Sequence, residues 1–306
     1  MKQLLILSGK GGTGKTTIAS AFIKLAKPEA YADCDVDAPN LHLVQSQENI
    51  ANQTNFYGMP KAEIDPNQCV YCGFCKKYCR FDAIKADEFY EVDRLSCEGC
   101  GVCELICPVG AISLKPAKAG DLMLYKDDDV FSTAQLTMGS GNSGLLVSEV
   151  KKQMEAHAPK AKLAIIDGSP GIGCPVISSI SGVDMVLIVA EPSLSGISDM
   201  ERIIKTASSF QPEVAVCVNK YDINVINTKE IELICETKNI RFVGAIPFDI
   251  TANRAVNAGQ SIVDIDCDAG QATKQVFNKV MKMLMKEGLE QDYDHKNSDR
   301  KHFHLR

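Results

Sequence analysis

No stretch of this 306-residue sequence approaches the run of about 18 apolar residues that a membrane-spanning helix needs. The apolar start, Leu4 to Leu7, is too short for a signal-peptide core and leads straight into a glycine-rich loop, so no secretory leader is expected. Positive charge is also scarce. Lys and Arg number 33 against 39 Asp and Glu, a net charge of -6 that argues against a nucleic-acid-binding face. Cysteine, in contrast, is abundant. Thirteen cysteines suggest disulfides in a small secreted protein, but eight of them fall within 39 residues at metal-ligand spacing, so cluster ligation is the better account. With 45% hydrophobic and 24% charged residues the composition is that of a soluble globular protein, expected in the cytoplasm. The length suits one large α/β domain or two ordinary ones.

Gly9 to Thr17 reads Gly-Lys-Gly-Gly-Thr-Gly-Lys-Thr-Thr and fits GxxxxGK[ST], with Gly9, Gly14, Lys15 and Thr16 in the fixed places. An apolar strand, Gln3 to Ser8, precedes it. A helix follows from Lys15, with Ile18, Ala21, Phe22 and Leu25 on one face. In this setting Gly11, Gly12, Thr13, Gly14 and Thr17 turn backbone N–H groups inward as an anion nest at a helix N-terminus. Lys15 reaches the β and γ phosphates, and Thr16 places its hydroxyl on Mg2+.

The second lysine, Lys10, gives the loop a further meaning. KGGTGKTT resembles the deviant Walker A loop of the MinD, Mrp and nitrogenase iron protein family. The resemblance implies a dimer in which Lys10 crosses to the partner's nucleotide, adding charge where an arginine finger acts elsewhere. It also matches Asp35 to the aspartate that activates water and Asp33 to one nearer the magnesium. Asp37 is the third of these alternating carboxylates. Cys34, between two of them, reads as a core thiol. Further on, Leu163 to Asp167 is an apolar strand ending in a Walker B aspartate, with Asp167 toward Mg2+ and Gly168 to Gly173 as a γ-phosphate-sensing switch. Asn219-Lys220-Tyr221-Asp222 taken literally is the guanine-reading NKxD. The family resemblance instead implies ATP, with Asn219, Pro247 and Asp249 around the adenine.

Residues 51–66 are polar and weakly periodic. Then Cys69, Cys72, Cys75 and Cys79 form CxxCxxCxxxC, and Cys97, Cys100, Cys103 and Cys107 repeat it 28 residues later, together with Gly73 and Gly101, Ala83 and Ala111, Ile84 and Ile112. Four-cysteine zinc sites usually come as two separated CxxC pairs, a different pattern. This stretch resembles a bacterial two-cluster ferredoxin, in which the fourth cysteine of each run ligates the other cluster. The resemblance assigns Cys69, Cys72, Cys75 and Cys107 to one 4Fe-4S cluster, and Cys97, Cys100, Cys103 and Cys79 to the other. Pro108 follows the second run, whereas Arg80 follows the first and puts a charge beside a cluster.

Leu122 to Lys126 and Val130 to Met138 flank Asp127-Asp128-Asp129 as a hairpin, Leu145 to His157 is a helix, and Met185 to Ala190 and Val214 to Val218 are buried strands. Cys174 stands seven positions after Asp167, like the bridging-cluster cysteine of the nitrogenase iron protein, but the comparable loop Gly139–Gly144 has no second cysteine. Two readings stay open, a bridging metal at a dimer interface and a free thiol there. Cys217, Cys235 and Cys267 are core or surface thiols. The helix Thr273 to Lys286 is amphipathic and basic, and packing onto the sheet is its expected use; membrane association is not expected.

The expected organisation is a mostly parallel P-loop α/β sheet with helices on both faces, interrupted after its second strand by a ferredoxin-like α+β module. The ATPase domain takes residues 1–58 and 118–290, the module 59–117, and a polar tail 291–306, whose His295, His302 and His304 are weak metal candidates. The expected function is an ATP hydrolase, slow without its partner, holding ATP, Mg2+ and two 4Fe-4S clusters. It forms a homodimer, or a heterodimer with a related ATPase, and serves a redox partner or metalloprotein client. Two other functions fit the same motifs: an ATP-controlled iron–sulfur carrier, and a MinD-like positioning ATPase with structural or redox-sensing clusters.

Overall fold

The computed structural model describes residues 1–43, 45 and 50–285. The tail with its three histidines, and Lys286, lie outside the described residues. The apolar strand is β1 (Lys2–Leu7), and its side chains alternate between two cores: Leu5 and Leu7 pack into one, Leu4 and Ile6 into the other. A strand buried on both faces needs helices on both sides, and the chain supplies them.

From the N-terminus, α1 (Lys15–Ala26) and β2 (Ala30–Asp33) are followed by β3 (Asn52–Tyr57). A cysteine-rich segment then holds β4 (Lys61–Ile64), α2 (Phe74–Tyr78), β5 (Ile84–Ala86), β6 (Tyr90–Val92), α3 (Val102–Leu105) and β7 (Ile112–Lys115). The main sheet resumes with β8 (Lys118–Lys126), β9 (Val130–Leu136), α4 (Ser143–His157) and β10 (Leu163–Asp167). After α5 (Cys174–Ile180), β11 (Met185–Ala190), α6 (Leu194–Ser208) and β12 (Glu213–Asn219), the chain ends in α7 (Val225–Thr237), β13 (Arg241–Ile246), α8 (Ile250–Asn257) and α9 (Asp268–Met285).

Among the described residues nine strands form one sheet in the order β13-β12-β11-β1-β10-β2-β9-β8-β3. All neighbours from β13 to β9 are parallel, and β8 and β3 are added antiparallel at one edge. One core collects α4, α5, α6 and α7 residues, the other α1 and α9. On the second face Phe22 of α1 meets Phe277 of α9 edge to face at 5.1 Å, so α9 is a packed sheet-covering helix. No helix among the described residues is long and apolar enough to cross a membrane.

The sheet corrects one expectation. The interruption follows the third strand, because the polar segment after Ala51 forms β3, which pairs with β8 over Asn52↔Leu124 to Tyr57↔Lys118. Only Phe56 of β3 is buried, so the strand carries little hydrophobic pattern; backbone pairing at a sheet edge holds it. The cysteine-rich segment therefore springs from the tip of the β3–β8 ladder. Two reversals of direction, β9 to β8 and β8 to β3, aim β3 the same way as β1. Tyr57 consequently ends at the carboxyl edge of the sheet, the edge that also carries the loop after β1.

Candidate functional site

Gly12 and Gly14 have φ of 80° and 90°, the left-handed conformation that turns the loop back over the start of α1. The loop and its surroundings enclose a cavity of about 630 Å3, a size suited to a nucleotide. Residues Lys10 to Thr17 line one side; Asp35, Asp37, Ser169, Asn219 and the segment Pro247 to Asp249 line the rest. Thr13 Oγ1 is buried without a hydrogen-bond partner among the described residues, an unpaired group that a phosphate oxygen would satisfy. Gly9 lies outside the cavity lining and allows a close approach instead: a Cβ there would stand 2.1 Å from Asp199 Cβ.

Lys15 Nζ lies 2.5 Å from Asp167 Oδ1, and the Thr16 hydroxyl donates to Asp167 Oδ2 at 2.6 Å. Burial works to lower the Lys15 pKa, but the charge and hydrogen bond of Asp167 outweigh it and raise the pKa above its ordinary value. Lysine, hydroxyl and carboxylate are thus gathered where Mg2+ and phosphate oxygens would exchange for their mutual contacts.

Asp33 and Asp35 divide the labour. Asp33 stays out of the cavity lining and accepts three backbone N–H bonds, from Asp35, Asn40 and Leu41, each at 3.0 Å. Burial, and then the Asp167 charge, push its carboxyl up to about 7. It organises the segment that presents Asp35 to the cavity, where burial also raises the Asp35 pKa.

Lys10 Nζ pairs with Glu191 Oε2 at 2.6 Å and lies 3.4 Å from the Ser193 and Ser195 hydroxyls. In NKxD, Asn219 Nδ2 donates to Thr13 O at 2.7 Å and Lys220 Nζ to Gly12 O at 3.0 Å, so both brace the phosphate loop. Asp222 Oδ1 accepts the Phe248 N–H at 2.7 Å, tying it to the Pro247–Asp249 segment. Nothing in the sequence pointed to Glu191, to the Gly9–Asp199 approach or to this use of Asp222, because each pairs residues far apart in the chain.

The cysteines form two sets. One small cavity is lined by Cys69, Cys72, Cys75 and Cys107, and a second by Cys79, Cys97, Cys100 and Cys103. Each takes three cysteines from one repeat and the fourth from the other, and apolar residues such as Ile64, Ile112 and Leu114 fill the walls. No group of three or more His, Cys, Asp or Glu side chains is placed for a single metal ion among the described residues. Four thiols around an apolar cavity fit a multi-iron group. Cys107 Sγ accepts the Ala111 N–H at 3.3 Å, and Lys61 donates to the Cys97 carbonyl. Cys174 is exposed at the start of α5; a Cβ on Gly144, in the first turn of α4, would lie 3.2 Å from its Cβ. Cys34 is fully buried, with its thiol pushed up to about 12 by burial, and Cys217, Cys235 and Cys267 are buried as well.

A mostly parallel sheet covered on both faces, with a P-loop and a buried aspartate at its carboxyl edge, defines a P-loop nucleotide-binding protein. The chain belongs to the CobQ/CobB/MinD/ParA nucleotide binding domain family, which matches residues 4–262. It is 32% identical to an uncharacterised protein of Methanocaldococcus jannaschii over 92% of this chain and 97% of that one. It is 24% identical to an iron-sulfur cluster carrier protein of Pyrococcus abyssi, covering 92% and 86% of the two chains. Among solved structures, the cell division ATPase MinD of Pyrococcus furiosus shares the fold with a TM-score of 0.56 at 17% identity, over 92% of this chain and 99% of that one.

Proposed function

We propose that this protein is a nucleotide-dependent iron–sulfur ATPase that couples ATP binding and hydrolysis to electron transfer through two 4Fe-4S clusters, for a partner metalloprotein or for metal-cofactor assembly. The observation that carries the reading is the mounting of both sites on one sheet edge, with the eight-cysteine module held at each end by the β3–β8 ladder. Motion around the nucleotide then reaches the module through paired backbone.

Lys15 and the loop N–H groups hold the phosphates, Thr16 and Asp167 hold Mg2+, and Asp35 orients the attacking water. Lys10 acts across a dimer. Its half-exposed bridge to Glu191 is worth about 0–1 kcal/mol, so a partner's phosphate competes for it readily. Asn219, Pro247 and Asp249 flank the base, and ATP is the nucleotide. The two sets of four cysteines hold one cluster each, and bound clusters supply one-electron chemistry whose potential follows charge, hydrogen bonding and exposure. A P. horikoshii MinD structure contains Mg-ADP, in keeping with the nucleotide assigned here.

A second reading is favoured by the relatives named iron-sulfur cluster carrier proteins, under which ATP controls release of a cluster to an acceptor. A reduction titration of the anaerobic protein, followed by EPR with and without MgATP, separates the two. Electron-transfer coupling predicts a nucleotide-dependent shift of about 59 mV or more, tenfold in a one-electron equilibrium. Two reducible clusters that do not shift, with one passing to an apo-acceptor, would establish the carrier instead.

A further inference from the structure

The two halves of the cysteine module repeat in backbone as well as in sequence. Tyr71 and Gly99, Gly73 and Gly101, and Asp82 and Gly110, each pair 28 residues apart, all have positive φ. Their surfaces do not repeat. From Cys97 to Val109 there are two acids, Glu98 and Glu104, and no cation. Part of this half meets the chain itself, since Glu98 Oε2 lies 3.5 Å from where a Gly141 Cβ would stand, Glu104 Oε1 accepts the Leu114 N–H at 3.1 Å, and a Cβ on Gly99 would meet the Pro60 carbonyl oxygen at 2.1 Å, while Val102, Leu105 and Val109 stay exposed without a cation beside them in sequence.

From Cys69 to Phe81 the pattern inverts to three cations, Lys76, Lys77 and Arg80, with no acid, in a chain of net charge -6. None of the three enters an ion pair among the described residues. Lys77 Nζ stands 5.5 Å from the Tyr78 ring centroid. Tyr71, Phe74, Tyr78 and Phe81, in the same stretch of chain, are exposed, Tyr78 by 52%. Exposed aromatics interleaved in sequence with unpaired cations are the composition of a protein-docking face, and the charge selects an acidic partner.

We infer that this face docks an acidic electron-carrier protein. The inference rests on the electron-transfer reading above and gives its partner a surface and a charge. Location favours a carrier, since α2 contains Cys75, of one thiol set, and is followed directly by Cys79, of the other. At five residues α2 is too short to lie along a lipid surface as an amphipathic helix.

The test uses the anaerobically purified full chain and flavodoxin, an acidic one-electron carrier without iron, as probe. Calorimetry at low salt should give binding that weakens with ionic strength, and K76E/K77E/R80E should weaken it by roughly tenfold or more. F74A/Y78A should weaken it while leaving the salt dependence in place. Carbodiimide coupling should join Lys76 or Lys77 to flavodoxin carboxylates. No binding at low salt, undiminished binding of the charge-reversed variant, or cross-links confined to other lysines would overturn the inference. So would Lys76 or Lys77 cross-links between two copies of this chain without flavodoxin, or vesicle binding that the charge reversal abolishes. Iron is measured alongside. A wild-type protein without roughly eight iron per chain counts against the function proposed above, whereas iron-replete protein with unchanged binding removes only the docking face.

Discussion

At the scale of single residues, two lysines in one loop carry different expectations. Lys15, buried against Asp167, is the lysine proposed to hold phosphate, and Lys15→Ala should cost about 3 kcal/mol of nucleotide affinity, roughly a hundredfold, in a fluorescent-nucleotide titration. Lys10→Ala should leave that affinity intact and lower hydrolysis on the order of a thousandfold, and light scattering should show no ATP-dependent dimer of the variant if the proposed dimer forms through Lys10. A Lys10→Ala monomer that hydrolyses ATP at the wild-type rate would exclude the action of Lys10 in trans. Asp33 supplies a pH signature. Its carboxyl titrates at about 7 in the fold against an ordinary 3.8. Below about pH 4 both states are protonated. From there to about 7 the folded protein keeps a proton that the unfolded chain has released, so this group's contribution to stability declines as pH rises, then levels off. Urea midpoints without Mg2+ or nucleotide should show that decline, and Asp33→Asn should reduce it, leaving what the raised Asp35 contributes.

At the scale of elements, β3 and the second cysteine loop set how the module is mounted. Phe56 is the buried side chain of β3, and Phe56→Ala should cost about 3 kcal/mol, read as a lower urea midpoint. Gly99 has a φ of +67° and faces the Pro60 carbonyl. Gly99→Ala forces a strained backbone and a displaced loop, on the order of 1–3 kcal/mol. Faster iron loss to a chelator, with nucleotide affinity unchanged, is the expected readout. These elements differ in legibility. β1, β10, β11 and β12 announce themselves as apolar runs because they are buried on both faces. β3 does not, since edge pairing needs backbone groups and no hydrophobic pattern.

At the scale of the whole molecule, the module meets the nucleotide domain on one side only among the contacts described. Leu95 and Glu98, in the loop of the second repeat, approach Gly139 and Gly141, and that glycine loop runs into α4, whose Gly144 faces Cys174 at the start of α5. Pro175, next in that helix, lines the nucleotide cavity. Under the proposed function, a MgATP-dependent shift should therefore fall on the cluster assigned to Cys79, Cys97, Cys100 and Cys103, and leave the Cys69 set within error. EPR of Cys→Ser variants of each set assigns the signals, and an equal response of both clusters would rule out this route.

The sequence by itself determined the local chemistry: a P-loop between strand and helix, a Walker B aspartate ending an apolar strand, and a cysteine pattern repeated at 28 residues. These are legible because phosphate cradling and cluster ligation need fixed residue types at fixed short spacings. Tertiary structure alone decided that Asp33 supports its segment while Asp35 faces the cavity, and that Glu191 holds Lys10. It also decided that both sites share one sheet edge, since that follows from strand pairing between residues far apart in the chain, where no local spacing rule applies.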